Sequence, residues 1–395
     1  MKILVCNAGS TSLKFKLYDM PSEKLLCDAK IERVGSLTDA YYTYKNYLSG
    51  DSFRKDNLSV PDYKTGILAF IDTMTDAGIG VIQNISEVEC VGFKTVISKG
   101  HNGVCELTEE VLQGMKDYMF ISEGHTKAYL GAIAQFNEIL PDVLKIGVFE
   151  TSFHTTIPLE RSLYSIPYEW FEKYGIKKMG YHGASHSYIA KRCEAYGKTE
   201  KVISCHLGGS CSVCAIENGK SVDNSWGFSL QTGVMHSSRC GTIDPYLVPF
   251  LLNEGMSLDE ITTGLTKKGG LLGISGVSSD FIKVSEAADA GNERAKLAID
   301  AFATSVVRYI AQFYVELGGA DQIIFTGGIG EHAAEFRKEI VKRLSCLGIA
   351  LDEEKNAAVS EGVISTAESK IKVCVIPTNE ELGIAMSAYK YANEN

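Results

Sequence analysis

The chain has no apolar run long enough to span a bilayer, no excess of positive charge and no cysteine framework. Each absence removes a class of function. Without a span-length run, or an apolar leader-type segment after Met1, a cytoplasmic protein is expected. A net charge of −10 argues against nucleic acid or an anionic membrane surface as main partner. The eleven cysteines are odd in number and scattered, which fits reduced thiols. Cys205, His206, Cys211 and Cys214 lack a second closing pair. Cys211 and Cys214 would also point to opposite faces of one strand, so no zinc site is expected there. No low-complexity linker interrupts the 395 residues. That length is too great for one ordinary core and predicts two domains that pack closely and hinge.

What the chain does have is one local pattern repeated. Ile3-Leu4-Val5-Cys6-Asn7 runs into Ala8-Gly9-Ser10-Thr11-Ser12, and Val202-Ile203-Ser204-Cys205-His206 runs into Leu207-Gly208-Gly209-Ser210. Each reads as a short apolar strand breaking into a Gly/Ser turn. Glycines let backbone N–H groups turn toward an anion, and hydroxyls add donors at low steric cost. A third Gly-rich turn, Thr326-Gly327-Gly328-Ile329-Gly330-Glu331, follows a further apolar strand. Strand–turn phosphate loops in a duplicated chain point to a nucleotide-dependent phosphotransferase.

Around these turns the pattern is mixed α/β. Strands are predicted over residues 3–7, 13–19, 25–32, 88–98 and 145–149, with a Tyr-rich run at 41–47. Residues 62–77 carry Ile67, Phe70, Ile71 and Met74 at helical spacing, and Thr108 with Glu109 and Glu110 reads as a helix start. In the second half, residues 286–317 read as one long helix with a single early glycine, and strands follow at 322–325 and 372–376.

Several ordered motifs together resemble the acetokinase family, the kinases of acetate, propionate and butyrate. They are Asn7-Ala8-Gly9-Ser10-Thr11-Ser12-Leu13-Lys14, Tyr181-His182-Gly183-Ala184-Ser185-His186, Gly227-Phe228, Arg239 before Ile243-Asp244-Pro245, Phe325 to Glu331, and Pro377-Thr378-Asn379-Glu380-Glu381-Leu382. The resemblance spans essentially the whole chain. It implies two related ribonuclease-H-like α/β domains of the sugar kinase, Hsp70 and actin group around a nucleotide cleft. Residues 1–150 with 382–395 would form the N-terminal domain, and 151–381 the nucleotide-binding one. It also implies transfer of the γ-phosphoryl of ATP to a short-chain carboxylate, Mg²⁺ as cofactor, and a homodimer.

Residue by residue, the resemblance makes His182, Arg239 and Glu150 catalytic. Lys94, Val96, Gly124, His125, Tyr181 and Leu230 would contact the acceptor. Lys14, His206, Gly208, Gly209, Ser210, Asp280, Gly327, Gly328, Ile329, Gly330 and Glu331 would contact the nucleotide, and Asn7 and Glu380 the metal. A carboxylate acceptor is already ionised at neutral pH and needs no general base. The task is to bring two anions together, which calls for metal, Arg, Lys and His.

Outside the acceptor pocket, five motifs depart from the family pattern. Lys94 stands for an arginine, Glu150 for an aspartate, and Gly209-Ser210 for Asn-Gly. Ile282 replaces an arginine after Asp280, and Thr242 replaces an aspartate. In the acceptor pocket, Gly124 stands for leucine, Tyr181 for phenylalanine and Leu230 for proline. A weaker hold on ATP and an acid longer than acetate, with a polar substituent, are the corresponding expectations.

Overall fold

The first strand is a continuous apolar run and the second alternates apolar with polar residues, and the two fold back on each other as a hairpin turning at Ser10-Thr11. These are β1 (Lys2–Gly9) and β2 (Ser12–Asp19), paired from Lys2↔Asp19 to Gly9↔Ser12. The meander continues outward through β3 (Lys24–Glu32), β4 (Ser36–Asn46) and β5 (Ser52–Val60). β5 is mostly exposed and rich in charge, as suits an edge strand. On the other side of β1 lie β6 (Val88–Thr95), β7 (Val104–Glu106) and β8 (Leu144–Phe149). β6 runs parallel to β1, β8 parallel to β6, and β7 antiparallel to β8. Helix Glu380–Glu394 packs on this sheet, its Ile384 and Ala388 seated over Gly92, where an added Cβ would come within 3.1 Å of Ile384.

The computed structural model describes residues 1–394. The chain forms two compact units, Met1–Ser152 with the stretch from Asn379 onward, and Phe153–Thr378. Glu380, grouped with the second domain in the sequence reading, therefore belongs to the first unit.

The second unit repeats the scheme. β9 (Lys201–Leu207) and β10 (Cys211–Glu217) form a hairpin turning at Gly208-Gly209-Ser210, and β11 (Lys220–Asn224) continues it. β12 (Gln322–Thr326) runs parallel to β9. β13 (Gly362–Val363) and β14 (Lys372–Val375) complete the order β11-β10-β9-β12-β14-β13. In both sheets an antiparallel run, β5 to β1 and β11 to β9, gives way to two parallel strands, β6 with β8 and β12 with β14, the ribonuclease-H-like arrangement. β9 and β12 are buried almost throughout because both faces are covered. Phe302, Val306 and Ile310 of helix Glu293–Glu316 fill one face. Ile189 and Ala190 of helix Gly183–Arg192 pack on the other.

Two sequence expectations need correction. The long helix is two helices, Phe281–Asp289 and Glu293–Glu316, because Gly291 takes a left-handed φ of +94° and Asn292 caps the second through Ala295 N–H. The strand predicted over 88–98 stops at Thr95. The predicted cap at Thr108 forms, accepting from Val111 N–H, and Asp62 caps the earlier helix by accepting from Thr65 N–H. Among the described residues, no helix is long and apolar enough to cross a membrane.

Candidate active site

In the first unit, β6 and β8 place Lys94 and Glu150 at the same end of adjacent strands. Glu150 N–H closes the register by donating to Thr95 C=O at 2.9 Å. Glu380 opens the C-terminal helix, whose N-terminus is capped by Asn379 Oδ1 on Leu382 N–H. Lys94 Nζ lies 2.9 Å from Glu150 Oε1 and 2.6 Å from Glu380 Oε2, so one ammonium serves two carboxylates. Burial alone would lower the Lys94 pKa; the two carboxylates outweigh that and hold it well above 10.5. Lys16 binds Glu381 at 3.2 Å, a pair that no spacing along the chain marks. Asn7 lies on β1 opposite Lys14 of β2, whose side chain is exposed. Val96 is buried. Gly124 and His125 are exposed, and nothing lies within 4 Å of a Cβ added at Gly124.

In the second unit, the chain enters helix Gly183–Arg192 through two left-handed residues. Gly180 has φ +72°, and a Cβ there would lie 2.6 Å from the His154 ring. His182, the N-cap, has φ 60°, a conformation uncommon outside glycine. The sharp entry puts the His182 ring against Trp226 and His206, with centroids 4.5 and 4.0 Å away. Trp226 also stacks on His236 at 5.2 Å, meets Tyr181 edge-on, and carries the Arg239 guanidinium 5.5 Å above its ring. No sequence motif singles out Trp226, yet it supports most of the group.

Arg239 Nη1 donates to Leu230 C=O at 2.8 Å and Nη2 to Ser210 Oγ. Among the described residues it forms no ion pair with a carboxylate. Burial draws its pKa down from 12.5, but a guanidinium stays charged. His236 accepts Cys211 N–H at Nδ1, 2.9 Å, and lies 3.2 Å from Thr232 C=O through Nε2. Burial, then Arg239, lowers its pKa to about 3, so the ring is neutral. His206 Nδ1 pairs with Ser185 Oγ at 2.8 Å. The Tyr181 hydroxyl donates to Phe228 C=O at 2.7 Å. That polar handle is satisfied inside the protein, so the expected preference for a polar substituent on the acceptor is not carried forward.

A cavity of about 930 Å³ opens in the same unit, and Gly208, Gly209, Asp280, Gly328 and Ile329 line it. Gly328 offers bare backbone, since nothing lies within 4 Å of a Cβ added there. Gly327 and Gly330 do not line the cavity. Gly327 has φ +77° and a Cβ would come within 2.8 Å of Leu207 C=O, so this glycine serves the turn's close approach to β9. The expected Gly-rich turn is the first turn of helix Gly327–His332. Glu331 Oε1 accepts from Gly327 N–H and Thr378 N–H, at 2.8 and 3.0 Å. Asp280 caps helix Phe281–Asp289 through Ile282 N–H. Arg337, absent from the sequence reading, is almost fully buried and donates to Gly330 C=O and Glu331 C=O, which holds this segment's carbonyl end.

The arrangement can bind anions in the second unit and place oxygen ligands in the first. The acetokinase family profile matches residues 2–386. An acetate kinase of Methanosarcina mazei is 42% identical over 392 residues, covering 98% of this chain and 95% of its own. The solved acetate kinase of Porphyromonas gingivalis superposes with a TM-score of 0.87 at 32% identity, over 99% of both chains. A propionate kinase from Francisella tularensis gives the same TM-score and identity, over 98% of this chain and 99% of that one. With the motifs, both sheets and these matches in agreement over nearly its whole length, the chain belongs to the acetokinase family.

Proposed function

We propose that the protein is a carboxylate kinase that moves the γ-phosphoryl of ATP to a short-chain carboxylate, forming an acyl phosphate reversibly. The observation that carries this reading is Arg239. A largely buried guanidinium whose partners are a carbonyl and a hydroxyl keeps its charge for an anion from outside the chain. A carboxylate or a transferring phosphoryl matches its planar fork. His182 donates a hydrogen bond to phosphoryl oxygens as charge develops, and the hydroxyls of Ser210 and neighbouring groups keep that environment polar. No residue has to remove a proton from the acceptor.

Asn7 and Glu380 offer an amide and a carboxylate oxygen, hard donors of the kind Mg²⁺ takes while keeping several waters and substrate phosphate oxygens. When bound, the ion neutralises phosphate charge. Lys94 shares Glu380 and balances Glu150, which keeps net negative charge down where an anionic acceptor must approach. The cavity at Gly328 supports a nucleoside donor, since pyrophosphate alone would have no use for it.

Hydroxylamine trapping across acetate, propionate and butyrate with ATP, GTP and pyrophosphate, with and without Mg²⁺, tests the proposal. Acyl phosphate should form with Mg-ATP. The open space at Gly124 should favour propionate or butyrate over acetate, because each buried methylene contributes about 0.8 kcal/mol, roughly fourfold. Absence of acyl phosphate would refute the function. Pyrophosphate as best donor would refute the ATP assignment, and a clear acetate preference would show the pocket is closed.

The same reading includes a homodimer. Tyr246, Leu247 and Phe250 on and beside helix Leu247–Asn253 are exposed at 79%, 43% and 58%, an apolar surface of the kind subunits cover. Sedimentation equilibrium should give twice the chain mass, and a monomer at micromolar concentration would remove this part.

A further inference from the structure

Behind His182, hydrogen-bonding side chains run inward in an unbroken line between helix Gly183–Arg192 and the sheet. His182 Nδ1 lies 2.9 Å from Ser212 Oγ on β10. Ser212 Oγ lies 2.8 Å from His186 Nε2, one helical turn after His182. His186 Nδ1 lies 2.9 Å from Ser204 Oγ on β9, where the line ends. Ser204, Ser212 and His186 are each fully buried. We infer that Ser204, His186 and Ser212 form a directed hydrogen-bond relay that holds His182 in the tautomer with its hydrogen on Nε2.

The direction follows from the inner end. Among the described residues Ser204 Oγ has a single hydrogen-bond partner, His186 Nδ1, and its hydroxyl hydrogen is shut away from water. A buried hydroxyl gives its hydrogen to the acceptor it has, because leaving it unmade costs the full desolvation of the group. Ser204 therefore donates to His186 Nδ1. Burial, then His154 and His206, drives the His186 pKa far below 6.5, so that ring is neutral and carries one hydrogen. With Nδ1 accepting, the hydrogen sits on Nε2 and is donated to Ser212 Oγ. Among the described residues Ser212 has only His186 and His182 as side-chain partners, so its own hydrogen goes to His182 Nδ1. A neutral His182 with Nδ1 accepting must carry its hydrogen on Nε2. The opposite direction would leave Ser204 with no acceptor.

The functional consequence rests on the kinase reading, in which His182 donates to the phosphoryl group. Nδ1 is engaged on the Ser212 side, so Nε2 is the atom that can serve. Without the relay, Nδ1 loses the hydroxyl that keeps it bare, and the tautomer protonated on Nδ1, which has no Nε2 hydrogen to give, becomes accessible. Ser212, His186 and Ser204 are accordingly positioning residues. Each is a polar residue on the sheet-facing stripe or on a buried strand, where an apolar one would pack as well.

The test reads tautomers directly. With histidine labelled by nitrogen-15, long-range proton–nitrogen correlation distinguishes protonated from bare ring nitrogens, and loss of one set of signals in His182→Gln assigns that ring among the eight histidines. Wild-type His182 should show a bare Nδ1 and a protonated Nε2. In Ser212→Ala the signals should move toward a mixture, and kcat should fall by about tenfold or more with little change in either KM. Ser212→Thr, which keeps the hydroxyl, should recover most of both. Ser204→Ala leaves the protein–substrate surface untouched and should loosen the tautomer at His186 and His182, which covers failure of Ser212→Ala to fold. A wild-type His182 protonated on Nδ1 would overturn the relay. So would tautomer signals that Ser212→Ala or Ser204→Ala leaves unchanged. Failure of the kinase reading is distinguishable, because it would appear as no acyl phosphate from the wild type whatever the spectrum shows.

Discussion

Replacing Arg239 by lysine is expected to lower kcat by about a hundredfold or more while the protein stays folded. The guanidinium makes two fixed contacts in different directions, to Leu230 C=O and to Ser210 Oγ, with its plane over Trp226. Those contacts aim its remaining N–H groups as a fork. A lysine ammonium keeps the charge but cannot hold both anchors and present two parallel donors. Loss of one donor that acts mainly on the transition state costs about 3 kcal/mol, which is the hundredfold. The split between parameters is informative. A fall in kcat and kcat/KM together means the fork acts in the transition state, whereas a rise in KM alone means it only holds the acceptor. Denaturation midpoints and far-ultraviolet dichroism should match the wild type, since the lost contacts are a carbonyl and a hydroxyl that water can reach. Wild-type kinetics in this variant would remove Arg239 from the mechanism.

The contrast between Arg239 and the groups around it shows what the sequence could and could not reveal. Elements with a local cause were legible. A short apolar run marked β1, alternation marked β2, helical spacing marked the helix after Asp62, and a side-chain cap marked the one after Thr108. The break at Gly291 was not, because the residues on both sides keep helical spacing and one glycine costs a helix only about 1 kcal/mol. Site residues inside ordered motifs, such as His182 and Arg239, could be picked out on the chain. Their supports could not. Trp226, Ser204, Ser212 and Arg337 are single residues with no spacing signal, and they matter only because the sheet and its helices bring distant segments together. Tyr181 shows the same limit from the other side: its hydroxyl was visible in the sequence, but the Phe228 carbonyl that uses it was not.

Lys94→Met is expected to cost the first unit about 3–5 kcal/mol of its stability. The reason lies in the ratio of charges. One ammonium, 17% exposed, serves Glu150 and Glu380, whose side chains are 8% and 18% exposed. Removing it leaves two carboxylates without their shared cation, each poorly hydrated and each raising the other's cost. Lys94→Arg should restore most of the loss, because charge matters here more than shape. Adding Glu380→Gln to Lys94→Met should also recover part of it, since one of the two carboxylate charges is then removed along with their shared cation; that non-additivity is the coupling a double-mutant cycle reads. The pH dependence has a definite sign. Pairing raises the Lys94 pKa well above 10.5, so its contribution is fully present below the unfolded value and is lost only as pH rises through the raised folded one. The wild-type minus Lys94→Met difference should therefore persist from neutral pH to about pH 9 and shrink in strong alkali. Urea denaturation of both proteins at several pH values measures it. Equal midpoints near neutrality would mean the three charges are solvated rather than paired, and Lys94 would then have to be explained by the acceptor alone.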